Sequence, residues 1–311
     1  MVGKAVKVAA GIGATTLGAG LATAAWTQVE RRSPVLRRFH VPVPVPPSTP
    51  TVRILHISDL HLFPGQEWLV QWVRDLAQED FDFVVSTGDN FGAQAALPML
   101  REAYQPLLDY PGAFVLGSND YYSPRAKPWI SYLSKRLQKR QPKRNVPDLP
   151  WFEMVSEWID SGWIDLSNQG ETTSITTSSG HSAALALVGV DDPHIKRDRM
   201  PALPDGWDNP EVLRLGLTHA PYQRVLNEFT TLGVHVAFAG HTHGGQLCVP
   251  GYGALVTNCD VPRRYAKGLH QWGFGGDSCT VHISAGLGTA MYAPVRFSCR
   301  PEASLLTLTP A

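Results

Sequence analysis

Val52-Arg53-Ile54-Leu55-His56-Ile57-Ser58-Asp59-Leu60-His61 is the stretch that decides the fold. Val52 to Ser58 is short and mostly apolar, which predicts a buried strand. It runs out into an Asp and a His two residues apart. Side chains alternate along extended chain, so Asp59 and His61 face the same way. Downstream, Trp68 to Gln78 carries Trp68, Leu69, Trp72, Val73 and Leu76 at helical spacing. Phe83–Ser86 predicts a second strand, Leu97–Leu108 a second helix and Ala113–Leu116 a third strand. This strand–helix alternation predicts a layered α/β fold. Further strands are predicted at 183–190, 213–218, 234–239, 280–284 and 305–309, and Gly170–Gly180 reads as a hairpin or loop. No internal repeat is visible.

Ligands of α/β sheets collect at the C-terminal ends of strands. The first strand ends in Ser58-Asp59-Leu60-His61, the second in Thr87-Gly88-Asp89-Asn90, and the third in Gly117-Ser118-Asn119-Asp120. Two later strands end in Thr218-His219 and in Gly240-His241-Thr242-His243-Gly244-Gly245. Five strand ends thus deliver Asp, Asn or His to one side of the sheets. His241 and His243 share the two-residue spacing of Asp59 and His61. Carboxylate and imidazole together suit Mn, Fe, Zn or Co and argue against calcium. Glycines beside Asp89, His241 and His243 let the backbone turn sharply there.

The 311 residues carry 27 Lys/Arg and 27 Asp/Glu, so net charge is zero. A dedicated nucleic-acid binder is not expected. The balance conceals a split. Residues 1–40 hold six Lys/Arg and one acid, and residues 123–147 hold eight Lys/Arg and none. An acidic body with basic segments can orient on an anionic surface such as a membrane leaflet. Val8 to Val29 is free of charge and long enough to span a bilayer, although Ala, Gly and Thr dominate it. A membrane anchor, a signal peptide cleaved near Ala22-Thr23-Ala24 and a soluble helix all fit. The expectation is membrane association through residues 8–29. The flanking Lys/Arg tilt the balance toward a cytoplasmic catalytic domain. Val41–Pro50 contains five prolines and reads as a stiff spacer. The expected organisation is therefore 1–30 anchor or signal, 31–50 basic and Pro-rich linker, and 51–311 catalytic domain. Residues 123–182 read as an insertion within that domain. There, Trp129, Ile130, Leu133 and Leu137 form one helical stripe, and Trp151, Val155, Trp158 and Ile159 another. Cys248, Cys259, Cys279 and Cys299 form no C-x-x-C pair, so a structural zinc site is not expected.

The strand-end motifs resemble those of the calcineurin-like metallophosphoesterase family: D-x-H, G-D-x-x, G-N-H-D, a lone His and G-H-x-H. The resemblance covers residues 51–311. It is greatest to bacterial members with an N-terminal membrane segment, of the YkuE and UDP-2,3-diacylglucosamine hydrolase types. It implies a four-layer β-sandwich flanked by helices. It implies two divalent metal ions, with Asp59, His61 and His243 on the first, Asp89 bridging, and His219, His241 and an amide on the second. A hydroxide activated between the metals would then hydrolyse a phosphodiester or pyrophosphate. One motif departs from the pattern. Gly117-Ser118-Asn119-Asp120 stands where the family has G-N-H-D, so the family's His is absent. Asn119 is expected to supply the amide, and Asn119 and Asp120 join Asp89 as candidate catalytic residues. Losing a general acid costs about 10²–10⁴-fold, which favours substrates with good leaving groups. His194 is a candidate replacement acid, and His194 and Asn90 are candidate substrate contacts.

Plainer readings stand beside these. His56 and His235 lie inside strands and read as structural histidines. His282 and His270 have no motif partner. Lys135–Arg144 reads first as a solvated helix face, and Tyr121 and Tyr122 read equally as packing or pocket residues. The membrane segment and basic insertion point to a lipid-linked substrate. The alternatives are a nuclease or nucleotide phosphodiesterase, and a membrane-tethered metal-binding protein that has lost catalysis.

Overall fold

The computed structural model describes residues 20–126 and 146–311. Two six-stranded sheets lie face to face. The first runs, in spatial order, β1 (Val35–Val43), β14 (Glu302–Pro310), β2 (Val52–Ile57), β3 (Phe83–Ser86), β4 (Gly112–Phe114) and β5 (Ile164–Asp165). The second runs β12 (Gly268–Phe274), β13 (Asp277–Ile283), β9 (Val236–Ala239), β8 (Leu213–Thr218), β7 (Ser182–Val190) and β6 (Gly170–Thr176). Strands β2 to β5 are mutually parallel, as are β7, β8 and β9. Their carboxyl ends therefore share one edge of the sandwich.

Alternation puts one apolar set inside the sandwich and another outside. Ile54, Phe83 and Val85 from the first sheet pack against Leu187, Leu215 and Phe238 from the second, all fully buried. The outer face of the first sheet is covered by α1 (Glu67–Asp75), α2 (Leu97–Tyr104) and α4 (Trp151–Asp160). Leu69, Val73, Leu100, Tyr104 and Trp158 meet Leu55, Ile57, Val84 and Phe114 there. Over the second sheet, α5 (Gln223–Thr231) lays Val225, Leu226 and Phe229 on Val188, Ala237 and Val281. Each such side chain contributes about 1.5–3 kcal/mol on burial. The four expected layers are present. A single helical turn, α3 (Ser118–Tyr121), follows β4.

Two expectations change, and a third falls largely outside the described residues. Val41–Pro50 is not a spacer outside the domain. Val35–Val43 forms an edge strand, parallel to β14. Val41, Val43 and Val45 are buried while Pro42 and Pro44 are exposed, a period-two pattern that an edge strand tolerates because one side needs no donors. The folded unit accordingly starts before Thr51. The insertion is also narrower than 123–182. From Trp151 onward the chain contributes α4, β5 and β6, and β6 forms a hairpin with β7. The stripe at Trp129–Leu137 and the basic run Lys135–Arg144 lie outside the described residues. Finally, residues 8–19 of the uncharged N-terminal run also lie outside them, and residues 20–30 are helical. Among the described residues no helix is long and apolar enough to cross a membrane.

That N-terminal helix is fastened to the domain. The Glu30 carboxylate accepts from the Ser298 amide at 2.9 Å and from the Cys299 amide, and Gln28 donates to the Pro294 carbonyl at 3.1 Å. Its outward side exposes Leu21, Trp26 and Val29. All four cysteines are free and buried.

Candidate metal centre

The loops after β2, β3, β4, β8 and β9 converge at one end of the sandwich. The first two are laced together: the Asp59 amide donates to Gly88 O at 2.9 Å, His61 to Asp89 O at 3.0 Å and Leu62 to Asn90 O at 2.9 Å. Asp59, His61, Asp89, His241 and His243 all have left-handed backbones, with φ of 52°, 43°, 57°, 67° and 50°. Such conformations cost L-residues about 1–2 kcal/mol each and persist only where the surroundings enforce them. Among the described residues, half of the ten non-glycine residues with positive φ sit in this one cluster. Gly240 allows the approach, since a Cβ there would overlap the Ser58 hydroxyl.

Two groups of buried side chains result, each with its ligand atoms within 4.8 Å of one another: Asp59, His61 and His243, and Asp59, Asp89 and His219. In the first, His61 Nε2 and His243 Nε2 are 3.0 Å apart, and His243 Nε2 is 3.6 Å from Asp59 Oδ1. Asp89 Oδ2 lies between the groups, 3.5 Å from His61 Nε2 and 3.4 Å from His219 Nε2. His241 lies outside both groups. Its Nδ1 is 3.3 Å from His219 Nε2, and its Nε2 faces the Asn258 carbonyl at 3.4 Å.

The donor chemistry fits a cation. Two neutral imidazoles with lone pairs facing repel unless something positive lies between them. Two nitrogens bound to one ion at ~2.1 Å, at roughly a right angle, sit ~3 Å apart. Burial lowers the His61 pKa and holds those of His241 and His243 well below the ordinary value, leaving lone pairs free. Burial pushes Asp59 up to about 6, with Asp89 adding to it. Burial also opposes ionisation of Asp89, but His219, His61 and the Asn119 amide bring it well below the carboxylate range. His219 is raised well above its usual value, against its burial, by Asp89, Asp192 and Asp59. Its Nδ1 donates to the Thr87 carbonyl at 2.7 Å, which turns Nε2 toward Asp89. A proton on that Nε2 therefore occupies a place where a cation would also be stabilised.

In the departing motif it is Asn119 that reaches the Asp89 carboxylate. Its amide nitrogen donates to Asp89 Oδ2 at 2.8 Å and its backbone N–H to Asp89 Oδ1 at 2.7 Å. Asp120 and Asn90 differ from expectation. Both are fully buried. Asp120 Oδ2 accepts from the amides of Asp89 and Gly117 at 2.8 Å each, and Oδ1 accepts from the Asn90 amide at 2.8 Å and from Asn90 Nδ2 at 3.2 Å. The Asn90 carbonyl oxygen accepts from Tyr104 at 3.1 Å. Their side chains clamp the β3 and β4 loops together and are spent in doing so. Tyr121 likewise packs inward, donating to Asp191 at 3.0 Å beneath the Arg197 guanidinium. His194 sits exposed at the rim, its ring 4.5 Å from that of His241 and its Nδ1 3.2 Å from the Tyr222 hydroxyl.

Sequence reasoning passed over two residues that shape the site and read a third, Asp192, as a turn in preference to a substrate contact. Thr87 holds His219 through its carbonyl. Arg296 is fully buried and donates to the carbonyls of Ala285, Gly286, Gly288 and Cys299, fixing a loop whose Leu287 and Gly288 amides bond Ser58 O and Asp59 O. Asp192 is fully buried, one oxygen accepting from the His194 amide at 2.7 Å and the other without a partner among the described residues. Thr87 and Asp192 flank motif residues in the sequence. Arg296 has no local signal.

The profile of a family described as calcineurin-like phosphoesterase matches residues 52–245. A cattle (Bos taurus) protein named transmembrane protein with metallophosphoesterase domain is 27% identical over 289 residues, covering 89% of this chain and 58% of that protein. The chain thus spans little more than half the length of that relative. The Bacillus subtilis metallophosphoesterase YkoQ is 27% identical over 264 residues, 82% of this chain and 83% of that one. The same organism's YkuE is 35% identical over 79 residues, a quarter of each chain at 25% and 26%.

Proposed function

The chain belongs to the calcineurin-like phosphoesterase family, and from that premise we propose that it is a metal-dependent hydrolase of phosphodiester or pyrophosphate bonds. One observation carries this reading: two ligand groups, built from the ends of four strands, share Asp59 in a buried cluster. Asp59, His61 and His243 would hold one divalent ion, and His219, His241 and Asn119 the other, with Asp89 common to both. Mn, Fe, Zn and Co all suit these donors. When bound, such a pair supplies an activated water nucleophile and neutralises charge on the phosphate oxygens.

The chain's own groups supply the rest. Asn119 bonds both oxygens of Asp89 and so fixes the shared carboxylate. Asp120 holds the loop that carries it. With no His in the G-S-N-D motif, the rim His194 is the nearest candidate to protonate a leaving oxygen. Its exposure and its hydrogen bond to Tyr222 make it a weak acid catalyst, which favours bonds with good leaving groups. A membrane-borne substrate is supported by the uncharged run 8–29 and by the exposed Leu21, Trp26 and Val29 at its end.

The test is hydrolysis of an aryl phosphodiester, the matching monoester and a pyrophosphate by the full chain with Mn²⁺, each offered free and tethered in phospholipid vesicles. Diester or pyrophosphate turnover should dominate, vesicle presentation should raise it, and Asp89→Asn should cost more than the about 100-fold typical of outer-shell changes. Metal binding without turnover of any ester would replace the hydrolase reading with a metal-binding protein. Equal rates for free and tethered substrate would remove the membrane part.

A further inference from the structure

Two histidines that carry no motif meet inside the sandwich. His56 lies on β2 and His282 on β13, so the pair bridges the two sheets. Their Nδ1 atoms are 2.9 Å apart, and both rings are fully buried among Phe39 and Phe238. An apolar pair would fill this core without desolvating four ring nitrogens. What the imidazoles add is connection. His56 Nε2 is 2.9 Å from the Thr87 hydroxyl, that hydroxyl is 2.7 Å from the Ser58 hydroxyl, and the Ser58 hydroxyl is 2.6 Å from Asp59 Oδ2.

The direction of this chain follows from counting protons. An ionised Asp59 only accepts, so Ser58 donates to it. Ser58 then accepts from Thr87, whose single hydroxyl proton is thereby used. Thr87 must accept from His56, which places the His56 proton on Nε2. The bare His56 Nδ1 must accept from His282, which places the His282 proton on Nδ1. That leaves His282 Nε2 as a lone pair, and among the linked His282, His56, Thr87 and Ser58 side chains it is the atom without a hydrogen-bond partner among the described residues. An unmatched buried acceptor is tolerated better than an unmatched N–H. Burial holds both rings neutral, with His282 down at about 3 and His56 well below its ordinary value.

We propose that His282, His56, Thr87 and Ser58 form a one-way hydrogen-bond relay across the sandwich that fixes the Asp59 carboxylate for cation binding, with His56 as its positioning residue. The relay occupies Oδ2, and the His241 amide bonds the same carboxylate at 3.0 Å. Oδ1, 3.6 Å from His243 Nε2, also accepts from the His241 amide at 3.1 Å and keeps a lone pair for the cation. Thr87 acts twice, because its carbonyl also sets the tautomer of His219. One residue thereby orients ligands in both groups, as outer-shell partners of metal sites do. The metal-binding part of this inference rests on the proposed function above. The tautomers do not.

The experiment has two arms on the full chain. Labelling with ¹⁵N-histidine and recording two-bond ¹H–¹⁵N correlations at neutral pH, with His56→Gln and His282→Phe for assignment, should show His56 as the Nε2–H tautomer and His282 as Nδ1–H. Calorimetry with Mn²⁺ should show Kd raised about 10–100-fold by Thr87→Val and His56→Leu, and by Ser58→Ala should either of those fail to fold. His56→Gln keeps a nitrogen donor near Nε2 and should stay within about threefold of wild type, a rescue that volume alone would not give. His56 found as Nδ1–H, or an unchanged Kd in Thr87→Val, overturns the relay. A wild-type chain that binds no Mn²⁺ overturns its role in metal binding and the hydrolase reading with it, whereas tautomers contrary to the relay with normal Mn²⁺ binding overturn the relay alone.

Discussion

His219 and His243 are both buried imidazoles aimed at the same cluster, yet they are held in different ways. His219 is tied at both nitrogens, by the Thr87 carbonyl at Nδ1 and by Asp89 at Nε2. His243 and His61 face each other through Nε2, and neither Nδ1 has a hydrogen-bond partner among the described residues. Their backbones are left-handed, whereas that of His219 is not. A group with matched partners keeps its place without a cation. A group with like atoms opposed and strained backbone relies on what lies between them. One half of the centre is therefore preorganised, and the other would depend on a bound cation.

The strongest way to break that contrast is to remove the ion. Chelation should abolish turnover and lower the melting temperature, since an ion at a thousandfold over its Kd contributes about 4 kcal/mol. Amide exchange should rise around His61 and residues 240–245, while His219 keeps its Nδ1–H signal. Equal loss of order at His219 would erase the distinction. A smaller effect sharpens the preorganised half. Asn119→Ala removes the side-chain donor to Asp89 Oδ2, keeps the backbone donor to Oδ1, and should cut kcat about 10²-fold, within the range for positioned catalytic groups. Its melting temperature should hardly move, because Asn119 is only half-buried. A fall in stability with kcat intact would make Asn119 a structural residue instead. The smallest effect lies outside both halves. His194→Gln should slow a diester with a poor leaving group by about tenfold and leave a nitrophenyl ester unaffected. Equal slowing of both esters would remove its role as an acid.

What could be read from the sequence was what is local. Asp59, His61, Asp89, His219, His241 and His243 lie in short motifs at strand ends, and strand ends are where apolar runs stop, so both parts were visible together. The layers followed from strand–helix alternation. What escaped was non-local or ambiguous. Val41-Pro42-Val43-Pro44-Val45 carries a period-two burial pattern, but its prolines suggest a spacer to anyone counting them rather than the valines. Asp120 and Asn90 look like site residues because they adjoin Asn119 and Asp89. Only the fold shows that Asp120 is bonded by neighbouring amides and Asn90 by Asp120 and the Tyr104 hydroxyl. His56 and His282 are 226 residues apart, and Arg296 serves carbonyls at both ends of the β13–β14 connection that carries it. No periodicity reports such pairings, because they are made by sheet stacking and loop return.

The fastening of Glu30 has a geometric consequence. The Cys299 amide it holds belongs to a residue whose thiol donates to the His243 carbonyl at 3.3 Å. Residues 20–30 form a rod about 16 Å long, fixed at its far end to the turn behind His243. The chain thus leaves the domain on a set bearing, and not on a proline leash. Any surface gripped near Gly20 would meet the catalytic mouth at one height and one tilt, so reach, rather than affinity alone, would decide which phosphate groups on that surface can be processed.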